Sequence, residues 1–95
     1  MYRIEYSERA IIDLNDIYNY IYYELVNPIA AISFRKQIPK PISNLQIFPY
    51  LGKRYNQTNF RYIYFKNYLI IYSINNHNVE IQRIFHKKQN FKNVL

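Results

Sequence analysis

The spacing of apolar residues changes twice along this chain, and each change narrows what it can fold into. Tyr2, Ile4 and Tyr6 alternate with Arg3 and Glu5, which places them on one face of a short strand. Ala10, Leu14, Ile17 and Ile21 then recur at steps of four, three and four, the period of an amphipathic helix. From Phe60 the alternation returns in three runs, 60–65, 68–74 and 79–85, separated by Lys66-Asn67 and by Asn75-Asn76-His77-Asn78, which read as hairpin turns. Hairpins following helices predict an α+β chain of order βααβββ, with a two-helix layer on one face of a small antiparallel sheet. The other face is expected to be accessible and to carry the function.

The element ends have their own signals. Ser7 offers an N-cap oxygen and Glu8 complements the positive helix terminus, so a helix is predicted over 8–24. Asp13, Asp16 and Asn19 are expected on its outer face, with Tyr18, Tyr20, Tyr22 and Tyr23 flanking the buried stripe. Asn27-Pro28 starts a second helix, with Asn as cap and Pro where its missing N–H costs nothing. Its stripe of Ala31, Phe34, Ile38, Ile42 and Leu45 is crossed by Pro39 and Pro41, so a break is predicted near residue 38, with a short segment resuming beyond it. Gly52, the only glycine, is assigned to a turn, and 53–59 reads as a polar loop. Near the end, Val79 and Ile81 hold one register and Ile84 the other. A bulge at Gln82 or Arg83 would return Ile84 to the core and turn Arg83 outward, whereas a strand end leaving the sheet produces the same pattern. In the tail, Phe91, Val94 and Leu95 could dock at a helical spacing.

Ninety-five residues supply one core, so residues 1–95 are read as a single domain, with 12 Tyr and 6 Phe providing its bulk. The absence of Cys excludes disulfides and thiolate metal sites. Apolar runs such as Leu69–Tyr72 fall far short of the ~20 residues that cross a bilayer, and charges at Arg3 and Glu5 occupy the place of a signal-peptide core. A cytoplasmic location is the expectation. Charge is unevenly distributed. In residues 1–24 two bases against five acids leave −3, and in residues 25–95 eleven bases against Glu80 leave +10. Such a surface attracts RNA, DNA or an acidic protein segment; solubility alone is the plainer explanation.

One glycine excludes phosphate-binding loops and dinucleotide fingerprints, and two His nine residues apart do not make a zinc site, so no cofactor or metal is expected. Arg61, Arg83 and His86 remain, with Lys53, Arg54, Lys66, Lys87 and Lys88 around them. Arginines that stabilise a phosphorane and an imidazole that moves a proton suit metal-free RNA cleavage. The structural alternatives are an Arg61 paired with an acid of the first helix, a His86 closing a strand end, and solvated lysines.

The ordered set Ala10-x-x-Asp13-Leu14, Asn27-Pro28, Ile42-x-x-Leu45, Phe48-Pro49, Gly52, Arg61, Tyr68-x-x-Ile71-Tyr72 and Ile81-x-Arg83-Ile84-x-His86 resembles the RelE/ParE superfamily of type II toxins, nearer its ParE-like branch. The resemblance implies a growth-arresting toxin neutralised by an acidic antitoxin. ParE-like members poison DNA gyrase and RelE-like members cleave messenger RNA on the ribosome. Arg61, Arg83 and His86 match positions used by the nucleases, and the lysines and Arg54 become candidate nucleic-acid or antitoxin contacts. Departures from the RelE-like pattern favour gyrase as target: Leu69 stands where those members carry an extra Arg, residues 25–79 contain no acid, and His86 is not followed by Tyr. Ribosome-dependent cleavage is the enzymatic alternative, and a non-toxic basic RNA-binding module is the third.

Overall fold

A computed structural model describes residues 1–86. Strand β1 (Arg3–Tyr6) leads into helix α1 (Glu8–Asn19), whose last turn widens into a π-helix over Tyr20–Glu24. Helix α2 (Pro28–Gln37) and helix α3 (Pro39–Ser43) follow, with a 3₁₀ turn at Asn44–Gln46. Four strands complete the fold: β2 (Lys53–Arg54), β3 (Phe60–Phe65), β4 (Tyr68–Asn75) and β5 (Asn78–His86). The tail, with its expected docking residues, lies outside the described residues. No helix among the described residues is long and apolar enough to cross a membrane.

The caps form as the sequence indicates. Ser7 Oγ accepts from the Ala10 N–H at 3.0 Å and Asn27 Oδ1 from the Ala30 N–H at 3.1 Å. Pro39 breaks the second helix and then occupies the first position of α3, where a proline is tolerated, so the apolar stripe continues through Ile42 and Leu45.

The sheet differs from the expected antiparallel one. Its order is β1-β5-β4-β3-β2, and β1 runs parallel to β5, so it is mixed. A parallel pair requires a long crossover, and the helices and intervening strands between β1 and β5 supply it. Strand β2 falls in the expected loop; it is only two residues long and both are exposed, so no alternation marks it. Both hairpin loops have two residues, with Lys66 and Asn76 at positive φ, and the second is shorter than the expected four.

Ile70, Tyr72, Val79, Ile81 and Ile84 face the helices and pack with Ala10, Ile21, Ala31, Phe34, Ile38, Ile42 and Leu45. The opposite face is not simply open, because Leu69, Ile71 and Phe85 are buried there beside Phe60 and Tyr62. The bulge is present: Ile71 faces Arg83 and Tyr72 faces Ile81, leaving Gln82 as the extra residue and Ile84 in the core.

The turn between the helices is strained. Val26 adopts φ 49° and is 76% exposed, although a β-branched residue is disfavoured in the left-handed region. It does so because the Asn27 N–H returns to the Ile21 carbonyl at 3.0 Å, closing the π-helical end. Val26→Gly is expected to stabilise the fold by about 1 kcal/mol, and Val26→Ala, which keeps a Cβ, by less. Thermal unfolding checks this; a Gly variant that melts no higher would contradict it.

Candidate functional site

The bulge in β5 is held by the first helix. Strand β1 ends opposite Ile81, so beyond that point the edge of β5 lacks a strand neighbour. Ser7 takes over by donating its N–H to the Ile81 carbonyl at 3.0 Å and its hydroxyl to the Gln82 carbonyl at 2.8 Å. Nearly two turns further along α1, Asp13 accepts the Ile84 N–H at 3.0 Å. The same carboxylate receives Arg83 Nε at 2.8 Å and Nη2 at 3.2 Å, with the two side chains only 9% and 14% exposed. Arg83 is therefore not turned outward, and Asp13 does not lie on the outer face of its helix. Helical periodicity assigns a polar residue to solvent by default, and the partner that buries Asp13 lies 70 residues away.

Arg61 is anchored at the other end of the sheet. Its Nη1 donates to the Gly52 carbonyl at 2.8 Å and its guanidinium lies 4.9 Å from the Tyr50 ring. The Tyr72 hydroxyl donates to the Pro49 carbonyl at 2.7 Å and accepts from the Gly52 N–H at 2.8 Å. Gly52 is required by this close approach, because a Cβ there would meet the Tyr62 carbonyl and the Tyr72 hydroxyl at 2.7 Å. Tyr72 is thus fully buried, whereas Tyr64 is exposed and Tyr62 packs edge-on to it.

The three matched positions do not converge. Arg61 faces Tyr72 across the β3–β4 ladder, on the helix side, whereas Arg83 faces Ile71, on the opposite side. His86 faces Tyr68 and meets its ring edge-on at 5.5 Å. Tyr68 is four residues from Tyr72, which separates His86 from Arg61 by about 13 Å along the sheet, with a further strand between them. Of the other candidates, Arg54 contacts the Thr58 carbonyl and, with Arg61, Tyr50 and Asn59, borders a polar concavity of about 530 Å³. Lys53 is exposed on β2. Lys66 donates to Gln37 of α2. Lys87 and Lys88 lie outside the described residues. Sequence reasoning missed Asp13 as the group that holds Arg83 and Ser7 as the group that pairs the free edge of β5; the slip in alternation at Gln82 was the available signal.

This fold recurs in solved structures of one class. The chromosomal ParDE toxin–antitoxin system of P. aeruginosa superposes with a TM-score of 0.78 at 20% identity, over 90% of this chain and 96% of that one. The RelB–RelE complex of Methanococcus jannaschii gives 0.63 at 20% identity, over 96% and 99%. The RelBE2 complex of Mycobacterium tuberculosis gives 0.59 at 18%, over 90% and 96%. No curated protein sequence matches the chain. The profile of the family described as ParE toxin of type II toxin-antitoxin system, parDE, matches residues 4–91. The chain belongs to this family, within the RelE/ParE superfamily.

Two outcomes follow from these contacts. Arg83→Ala leaves a buried carboxylate without its cation and is expected to cost about 3 kcal/mol, while a paired Asp13→Ala/Arg83→Met exchange recovers much of that loss. Chemical denaturation of the single and double variants reads the coupling, and additive losses would refute it. Burial raises the Tyr72 pKa above 10.0, opposed by the Gly52 hydrogen bond and the Arg61 charge. A folded pKa above the unfolded one means that the stability is present below pH 10 and lost as pH rises through the folded value. Tyr72→Phe is expected to cost about 2 kcal/mol at neutral pH and to flatten the alkaline fall in stability, measured by melting between neutral and alkaline pH.

Proposed function

We propose that this chain is the growth-arresting toxin of a type II pair, that an acidic antitoxin segment neutralises it, and that it acts on DNA gyrase. The observation that supports gyrase over messenger RNA is the dispersal of Arg61, Arg83 and His86. Cleavage requires a base, an acid and phosphate-binding cations around one reacting group. Here one arginine is bound to Asp13, the other holds the Gly52 loop, and the histidine is about four strand residues away from Arg61. Lys53, Arg54, Lys66, Lys87 and Lys88 then serve as contacts for the acidic antitoxin, in keeping with the +10 balance of residues 25–95.

Pulse labelling in the first minutes after induction tests the target. DNA synthesis is expected to stop before protein synthesis, purified toxin to inhibit gyrase supercoiling, and His86→Ala to arrest growth as the wild type does. Protein synthesis stopping first, with arrest abolished in His86→Ala, would transfer the function to ribosome-dependent cleavage.

A further inference from the structure

The far edge of the sheet is only half covered. Strand β2 pairs with β3 at Arg61 and Tyr62 alone, and no strand among the described residues lies opposite residues 63–65 on that side. The chain leaves the edge at Gly52, whose N–H donates to the Tyr72 hydroxyl and whose carbonyl accepts from Arg61. Strand alternation fixes what remains outside. The Phe60 carbonyl accepts the Tyr55 N–H at 2.8 Å, so the backbone groups of Phe60 point to the β2 side, and those of Tyr62 and Tyr64 point the same way. The N–H and C=O of Tyr64 therefore face outward, with no strand among the described residues to meet them.

Beside this edge a concavity of about 350 Å³ opens between α3 and β3, bordered by Pro41, Asn44, Leu51, Lys53, Ile63 and Tyr64. Leu51 is 61% and Tyr64 57% exposed, and Ile47, Phe48 and Tyr50 are exposed in the same connecting segment. An apolar surface of this extent on a small chain marks an interaction site. Charge selects the partner. Lys53 stands on the rim, Lys40 precedes Pro41, Lys66 lies two residues beyond Tyr64, and residues 25–79, which build the edge and the concavity, contain no acid. Glu80 of β5 is two strands away, where it faces Ser73 and accepts a hydrogen bond from Gln82. A free edge takes an extended chain, main-chain bonds supplying affinity and a pocket beside the edge receiving a side chain. A second copy pairing through its own β3 would bring the same lysines together, and its acidic hairpin is helical, with no strand to add.

We propose that the uncovered half of β3 takes an added strand from the antitoxin, an extended segment that alternates acidic with apolar residues and seats an apolar side chain in the concavity. The inference rests on the antitoxin reading above and assigns that segment a place on the sheet.

The test uses purified toxin and the antitoxin encoded with it. Amide exchange at Tyr64 is expected to be fast in the free toxin and slowed more than about 10-fold in the complex. Leu51→Asp/Tyr64→Asp removes apolar contact and adds like charge, and is expected to weaken antitoxin affinity more than about 10-fold with melting unchanged and growth arrest on induction retained. If the double variant does not fold, Leu51→Asp alone takes its place and is expected to weaken binding in the same sense. Wild-type affinity in the folded variant overturns the proposal. Arrest lost while antitoxin binding persists also overturns it, giving the face to the target, and dimerisation of free toxin that the variant abolishes gives it to a second copy. Antitoxin binding that leaves Tyr64 exchange unchanged removes the added strand alone, whereas an antitoxin that does not bind the wild-type chain removes the antitoxin reading and the proposal with it.

Discussion

The Asp13 carboxylate sets the register between the helical layer and the sheet. A bulge at Gln82 leaves β5 with a carbonyl and an amide that no strand can pair, because β1 has already ended opposite Ile81. Ser7 satisfies the carbonyl and Asp13 the amide, so one end of α1 replaces the missing strand. A buried carboxylate carries a desolvation cost that only several good partners offset, and the bidentate Arg83 provides them. Any other placement of α1 along β5 would leave an unpaired charge and an unpaired amide together. The helix therefore has one register, and with it the positions of the π-helical turn, the strained Val26 and α2 behind them.

The far end of the sheet is organised by a neutral counterpart. Tyr72 reaches through the core to hold both Pro49 and Gly52, and Arg61 takes the remaining Gly52 carbonyl. Gly52 thus has both backbone groups occupied and no room for a side chain. Two arginines that look alike as free cations in the sequence consequently do structural work at opposite ends and on opposite faces. Exposed charge remains on Lys53 and Arg54 of β2 and on Asp16 and Glu24 of the first helical segment.

Much of this fold could be read from the order of residues because its signals are local. Ser7 and Asn27-Pro28 cap helices through atoms three residues away, Pro39 and Pro41 interrupt a ladder within their own turn, and alternation from Phe60 onward depends only on the strand period. The slip at Gln82 was visible for the same reason, as a change of face between Ile81 and Ile84. Strand β2 was not visible, since two exposed residues have no period, and neither was the parallel pairing of β1 with β5, which depends on which edge the chain returns to.

The candidate site shows the same division more sharply. The sequence alone determined every strand and helix with a period of its own, the α+β class, the uneven charge and the residues capable of chemistry, all properties of neighbours along the chain. Only the tertiary structure decided what those residues do, because hydrogen bonds and ion pairs join atoms separated by many residues: Asp13 to Arg83 and Ile84, Tyr72 to Pro49 and Gly52, Arg61 to Gly52. A charged group appears available until the fold supplies its partner. That contact is not encoded in local spacing, because it joins Asp13 to Arg83 across 70 residues.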